Sequence, residues 1–341
     1  MTPPTPQVGV LLLQLGGPKT LDAIQPFLTN LFEDVLPLPR FLRRPLAKFI
    51  AWRRTPEVKP LYQEIGGGSP LLQNTQDQRD ALQQALRRRG VDATVGIAMR
   101  YAPPRVEEGL EALHSLPEDV PRIALSLYPH YSFATSRSSL RELQAVLGGK
   151  FGAAWRSVCA YPTDPAYLDG LAQQIRRTLE GLPAPVQAQA HLVFSAHGLP
   201  MSLIREGDPY PEQIKASVQG IMQRLELPPE RHTLCYQSRV GPVKWLEPDT
   251  VTTMKTLGES GKAHLVIVPI AFTSEHIETL HEMDIQLQQT ARDAGVQTYA
   301  RVPTAGVDPA FIEALAGRVV ERMAQPKVCC GVFAGCELRQ V

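Results

Sequence analysis

Short aliphatic runs bounded by turn residues alternate with longer stretches of helical periodicity along most of the chain. The runs at Val8–Leu15, Ala93–Met99, Ile123–Tyr128 and Trp155–Ala160 predict four strands, and those at Ala190–Ser195, Thr233–Gln237, Leu265–Ile270 and Val296–Val302 predict four more. Such runs carry almost no polar alternation, which is the pattern of parallel strands covered on both faces. The spacing predicts helices between them: one ending near Phe32, then Leu71–Arg89, Val106–His114 and Ser138–Leu147, and in the second half Tyr167–Leu182, Pro211–Leu225, Asp249–Ser260, Glu275–Ala294 and Pro309–Met323. The turn-rich segment Tyr161-Pro162-Thr163-Asp164-Pro165 separates the two rounds. Two rounds of strand and helix in 341 residues predict two doubly wound α/β domains with a cleft between them. The expected boundaries are 1–163, 164–307 and a carboxyl-terminal helix and tail over 308–341.

In an open parallel sheet, ligands bind beyond the carboxyl ends of the strands. The densest chemistry lies there in HLVIVPIAFTSEHIETLHEMDIQ, His264–Gln286, which delivers Glu275, His276, Glu278, His281, Glu282 and Asp284 within ten residues. At 100° per residue, Glu275, Glu278 and Glu282 fall on one helical face. Like charges on one face oppose helix formation, so the row either serves chemistry or is a solvated acidic face. His197 closes another strand, just before a Gly-Leu-Pro turn. An imidazole at a strand's carboxyl edge suits proton transfer, although a satisfied polar residue fits the same place. Ser195 lacks the G-x-S-x-G elbow of a serine hydrolase. Arg100-Tyr101 and the segment Cys235–Trp245 follow strands in the same manner; Arg100 could pair with a carboxylate ligand, and Tyr101 and Trp245 could pack on a flat one. Gly16-Gly17-Pro18 lacks dinucleotide or P-loop spacing, leaving only the expectation of a close backbone approach to a ligand.

One segment breaks this texture. RFLRRPLAKFIAWRRTPEVK, residues 40–59, holds seven Lys or Arg against one acidic residue, interleaved with Phe41, Leu42, Leu46, Phe49, Ile50 and Trp52. That is the composition of an interfacial membrane helix, and equally of a helix packing its apolar side on the domain. The chain overall is balanced, with 20% charged residues and a net charge of +1, which argues against nucleic-acid binding. No apolar run is long enough to span a bilayer, and MTPPTPQ has no secretory pattern, so a cytoplasmic protein is expected. The five cysteines, Cys159, Cys235, Cys329, Cys330 and Cys336, read as thiols or metal ligands rather than a disulfide framework.

Taken in order, LLLQLGGP, RRTPEVKPLYQEIGGGSP, MRYAPP, SAHGLPMSLIREGDPYP, YQSRVGPVKWLEP and IAFTSEHIETLHEMD resemble the ferrochelatase family from about Val8 to Met323. The resemblance implies two similar Rossmann-like domains, each with a parallel four-stranded sheet, and a porphyrin cleft between them. It implies a metal chelatase, a lyase, that inserts Fe²⁺ into protoporphyrin IX to give protohaem and releases two pyrrole protons. By motif, His197, Glu278 and His276 take the catalytic positions, with His197 and Glu278 the groups that meet the Fe²⁺ substrate. Leu15, Arg100, Tyr101 and Trp245 take porphyrin-binding positions, while Glu275 and Glu282 lie on the proton or metal path. The family's acidic line often continues one turn beyond Glu282, where this chain has Gln286. The YQSRVG segment looks more like the protoporphyrin-using branch than the branch metallating coproporphyrin. Coproporphyrin or another tetrapyrrole remains the alternative substrate, and a tetrapyrrole carrier the non-enzyme alternative. Family members meet their substrate at a membrane, which implies a membrane- and porphyrin-facing lip near 30–70 and peripheral contact at the inner face through Arg40–Lys59. Some members hold a [2Fe–2S] cluster; its ligands here would be Cys329, Cys330 and Cys336, with Cys159 as the fourth.

Overall fold

A computed structural model describes residues 5–36, 38–149, 151–152, 154–239, 241–325, 329, 331 and 335–336. The chain divides into two compact units, one formed by 1–128, 133–160 and 315–341, the other by 129–132 and 161–314.

In the first unit, strands β1 (Gln7–Gln14), β2 (Asp92–Met99), β3 (Arg122–Ser126) and β4 (Trp155–Val158) form a parallel sheet in the order β2-β1-β3-β4. Every residue of β1 from Val8 to Gln14 is buried, because strands flank it on both sides and helices cover both faces. Helix Val106–Glu111 lies so close to β2 that a Cβ on Gly96 would fall 2.2 Å from the Gly109 carbonyl oxygen, and one on Gly109 would fall 2.4 Å from that of Ile97. Only paired glycines permit that approach.

The second unit repeats the plan. Strands β5 (His191–His197), β6 (His232–Gln237), β7 (His264–Val268) and β8 (Thr298–Arg301) are parallel in the order β6-β5-β7-β8. Val193, Cys235, Leu265 and Ile267 from the sheet pack with Met254, Met283, Leu287 and Ala291 from the helices as one buried cluster. Asp164 caps the helix Pro165–Glu180 by accepting from the Tyr167 N–H at 3.0 Å. Asp249 does the same for Thr250–Glu259 through the Thr252 N–H at 2.9 Å. These are the two four-stranded doubly wound sheets expected from the alternation, and each predicted strand is present within a few residues.

Two features were not anticipated by the pattern. The glycines at 16 and 17 approach the chain itself: a Cβ on Gly17 would fall 2.5 Å from Ser69 Oγ, and one on Gly68 would fall 2.2 Å from the Lys19 carbonyl oxygen. The two Gly-rich loops interlock, with the Ser69 N–H donating to the Pro18 carbonyl at 2.8 Å. The second concerns the predicted helix Glu275–Ala294, which is a π-helix over Glu278–Leu287 followed by an α-helix over Gln288–Asp293. A shorter π-helical turn, Phe133–Arg137, follows β3 in the first unit, at the place equivalent to the one after β7 in the second.

Residues 40–64 form one helix despite Pro45, Pro56 and Pro60 within it. It seats itself through small residues, Ala47 and Ala51, and through Tyr62 near its end. Its large apolar side chains face outward: Phe41 is 76% exposed, Phe49 60% and Trp52 59%. The helix therefore does not use them to pack on its own unit.

Candidate active site

Three strand ends of the second unit supply the chemistry. His197 is the last residue of β5 and pairs in register with Gln237 of β6. The chain then turns at Gly198, where a Cβ would fall 2.8 Å from the Gln237 carbonyl oxygen and 3.5 Å from the Trp245 ring. An isolated bridge between Pro200 and Trp245 ties that ring's strand to the turn. Trp245 is thus held beside the residue that follows His197.

Beyond β7 the chain passes through Thr273 and Ser274 before entering the π-helix at Glu278. His276 Nδ1 lies 3.0 Å from the Ser274 carbonyl oxygen. A carbonyl only accepts, so Nδ1 carries hydrogen. His276 Nε2 contacts Glu278 Oε2, and Glu278 Oε1 lies 2.9 Å from His197 Nδ1. One carboxylate therefore bridges two imidazoles. With a hydrogen already on His276 Nδ1, the contact between Nε2 and Oε2 needs a second proton, on the ring or on the carboxyl. The Phe272 ring closes the apolar side, its centroid 6.4 Å from His197 and 4.7 Å from His276.

The electrostatics follow from this geometry. Burial opposes charge on Glu278, but the facing His197 and His276 rings and their hydrogen bonds outweigh it and hold the carboxyl well below the usual range. Burial alone would lower His197; the charge and hydrogen bond of Glu278, helped by Glu282, reverse this and raise it above 6.5. Glu282 is displaced the other way. Burial and the neighbouring Glu278 charge raise it above 4.5, against hydrogen bonds from Ser238 and Gln237 that favour the anion. Its Oε2 accepts from Ser238 Oγ at 2.6 Å and from Gln237 Nε2 at 3.1 Å. Two carboxyls of one helix are thereby driven apart in proton affinity, an arrangement that acid–base chemistry can use.

The acidic row read at 100° per residue is split. Glu275 precedes the π-helix, and its Oε1 accepts from Arg301 Nη1 at 3.0 Å and from the Thr304 N–H at 3.0 Å. Arg301 also grips Asp284 through two bonds, at 2.6 and 2.8 Å. Arg301 and these bonds hold the Glu275 carboxyl low despite burial. Glu275 lies outside the helix, which begins only after His276 and then widens into π turns, so the regular periodicity failed here.

In the first unit, Leu15 and Arg100-Tyr101 follow β1 and β2, joined by the Tyr101 N–H donating to the Leu15 carbonyl at 2.9 Å. Arg100 Nη2 lies 2.7 Å from Asp34 Oδ1, while Asp34 Oδ2 accepts from the Tyr101 hydroxyl at 2.7 Å and from Ser138 Oγ at 2.5 Å. A second carboxylate, Glu142, lies 3.3 Å from Arg100 Nη1. Tyr101 is fully buried, and burial with the Asp34 charge keeps its phenol protonated. Arg100 and Tyr101 thus have carboxylate partners supplied by the chain itself.

The model of the ferrochelatase family matches residues 7–323. The chain belongs to the ferrochelatase family. The ferrochelatase of a Nostoc species is 44% identical over 327 residues, covering 94% of this chain and 83% of the relative. That of a Synechocystis species is 44% identical over 329 residues, covering 94% and 84%. Among solved structures, a multi-domain protein of Deinococcus radiodurans described as similar to chelatases aligns with a TM-score of 0.50 at 15% identity, over 94% of this chain and 55% of that one. That likeness speaks to the fold alone.

Within this ferrochelatase family member, His197, His276, Glu278 and Glu282 come together, Trp245 stands beside Gly198, and Glu275 is engaged by Arg301. Sequence reading missed Asp34, Gln237 and Ser238, whose partners lie tens of residues away; Gln237 and Ser238 stood in a motif noted only as a resemblance. Of the cysteines, Cys330 lies outside the described residues. Among the described residues the cysteines form no metal-binding group with His, Asp or Glu side chains. Cys235 sits in the core of the second unit, where burial pushes its thiol up to about 12, far from thiolate chemistry.

Proposed function

We infer that this chain inserts Fe²⁺ into protoporphyrin IX, with His197 as the base that receives the pyrrole protons. The observation that carries the residue roles is the Glu278 carboxylate bridging His197 and His276 in a member of the ferrochelatase family. A free-base porphyrin presents two N–H groups, and both protons must leave before a divalent ion can sit in the ring plane. With Nδ1–H of His197 donating to Glu278, the lone pair of Nε2 is the one left for a pyrrole proton. Glu278 orients the ring and stabilises the imidazolium that forms. His276, its tautomer fixed by the Ser274 carbonyl, offers the same carboxylate a second proton contact, so charge can leave on the side away from the substrate. Glu282, which neighbours Glu278 and acts on His197, is a further acceptor. Imidazole and carboxylate both suit Fe²⁺, so His197 and Glu278 are also the groups the entering ion would meet.

Leu15, Arg100, Tyr101 and Trp245 are the porphyrin-binding positions of this reading. Arg100 and Tyr101 also fix Asp34 and the end of helix Ile24–Val35, since both have that carboxylate as partner. Glu275 serves as an anchor for Arg301 rather than as a station on the proton path. A [2Fe–2S] cluster on Cys329, Cys330, Cys336 and Cys159 forms no part of the reading; Cys330 lies outside the described residues.

Membrane contact belongs to the proposal as well. The outward Phe41, Phe49 and Trp52, with Arg44 and Lys48 on the same helix, suit a peripheral seat on an anionic leaflet at the cytoplasmic face. No described helix is long and apolar enough to cross a membrane.

An anaerobic insertion assay with Fe²⁺, run in parallel on protoporphyrin and coproporphyrin, tests the reading. Protohaem formation with a clear preference for protoporphyrin is expected. Turnover confined to coproporphyrin would move the substrate to the other branch, and tight porphyrin binding without metal insertion would make the protein a carrier.

A further inference from the structure

Among the described residues two non-glycine residues hold a positive φ: Glu226 at 56° and Ser238 at 66°. Glu226 terminates the helix Tyr210–Leu225, a usual place for the left-handed conformation. Ser238 caps no helix. It directly follows β6, and side chains other than Gly, Asn and Asp seldom sit in this region without a reason in their surroundings.

The reason visible here is its hydroxyl, which lies 2.6 Å from Glu282 Oε2. The residue before it aims at the same atom. Gln237 Nε2 stands 3.1 Å from Glu282 Oε2 and 3.2 Å from the Glu278 carbonyl oxygen. The amide cannot turn over, because its oxygen would then face the Glu278 carbonyl, which only accepts; on the other side Gln237 Oε1 accepts from Ser195 Oγ at 2.6 Å, and Ser195 is paired with Thr250 at 3.1 Å. Ser195, Gln237 and Thr250 are all buried. A rigid donor and a donor on a strained backbone thus converge on one oxygen of the carboxyl that neighbours Glu278.

We propose that Ser238 and Gln237 are positioning residues for metal insertion, fixing the Glu282 carboxyl in the orientation from which it serves the His197–Glu278 pair. The inference rests on the reading of that pair as the base of the reaction. Ser238 acts through Glu282, and Gln237 acts through Glu282 and through the Glu278 carbonyl that its amide also meets. The left-handed backbone at Ser238 is retained because an extended residue there would carry the hydroxyl away from Glu282.

The backbone conformation supplies a clean test, since strain relief and loss of the hydroxyl pull in opposite directions. Ser238→Gly removes the hydroxyl and relaxes the backbone; Ser238→Ala removes the hydroxyl and keeps the strain; Ser238→Asn tolerates the conformation and can still donate an N–H. The three variants and the parent protein are compared by thermal unfolding and by steady-state insertion of Zn²⁺ and anaerobic Fe²⁺ into protoporphyrin. Ser238→Gly should unfold at or above the parent temperature yet lose about 10- to 100-fold in kcat, with KM for porphyrin little changed. Ser238→Ala should lose as much kcat and some stability, and Ser238→Asn should recover most of the rate. Parent-like kcat in Ser238→Gly would overturn the proposal, as would an Asn variant no better than Ala. A parent protein that binds porphyrin without inserting metal would instead overturn the reading beneath it, and this inference with it.

Discussion

Glu278 Oε1 stands 2.9 Å from His197 Nδ1, and this one contact sets both the tautomer and the proton affinity of the imidazole. Because the carboxylate occupies Nδ1, the ring can accept only through Nε2. Because the carboxylate is charged and close, the ring holds its proton more strongly than burial alone would allow.

The first prediction follows from the sign of that effect. Only neutral His197 can act as a base, so kcat should climb as pH rises through its raised value, above 6.5. Glu278→Gln removes the largest opposing influence and leaves burial to dominate. The rising limb should then move to lower pH, while the plateau falls because the ring loses its charged anchor. A pH–rate profile of Zn²⁺ insertion for the two proteins, with His197 followed by NMR titration, checks both parts; an unmoved limb would remove Glu278 from the role.

His197→Ala should lower kcat by about 10²- to 10⁴-fold, the range supplied by one positioned base. The imidazole is about one-third exposed, at 36%, so its loss leaves little cavity and folding should be retained. Porphyrin binding, read by fluorescence quenching, should persist. Full turnover in this variant would assign the base to another residue.

The eight strands were legible because each is an apolar run closed by a turn, and β1 shows why: seven of its eight residues are buried. His197 was legible as the residue that ends such a run. The π-helix was not, since a ten-residue π segment reads as ordinary helical periodicity until its backbone is seen. Projecting that stretch at 100° per residue put Glu275 beside Glu278. In fact Glu275 belongs to Arg301, a partner 26 residues away that no local pattern announces. Asp34 was hidden in the same way, 66 residues from Arg100. Long-range pairing of charges follows from topology, and the sequence states only that the charges exist.

That pairing gives Glu275 and Asp284 a shared structural partner. The Arg301 side chain is 12% exposed and holds two carboxylates at once, so Arg301→Met leaves Glu275 and Asp284 without their shared counter-charge. A loss of about 2 to 4 kcal/mol is expected, below the cost for a fully buried group because Asp284 keeps contact with solvent. Glu275→Gln should likewise lower stability in urea while changing kcat by less than about threefold. A large kcat loss without destabilisation would return Glu275 to the proton path.

The outward face of helix Arg40–Glu64 leads to the last prediction. Burying a phenylalanine or tryptophan is worth about 1.5 to 3 kcal/mol, and each basic residue near an anionic leaflet adds about 1 kcal/mol. Phe41, Phe49 and Trp52 are more than half exposed, so replacing them should not disturb the core. A Phe41→Ser/Phe49→Ser/Trp52→Ser variant should therefore unfold like the parent yet lose at least about tenfold in affinity for phosphatidylglycerol-containing vesicles. Neutralising Arg44 and Lys48 should weaken binding only where the vesicles are anionic, and added salt should do the same to the parent. Co-sedimentation across lipid charge and ionic strength distinguishes the apolar from the ionic share. If the Ser variant binds as well as the parent, the exposed rings serve something other than a membrane.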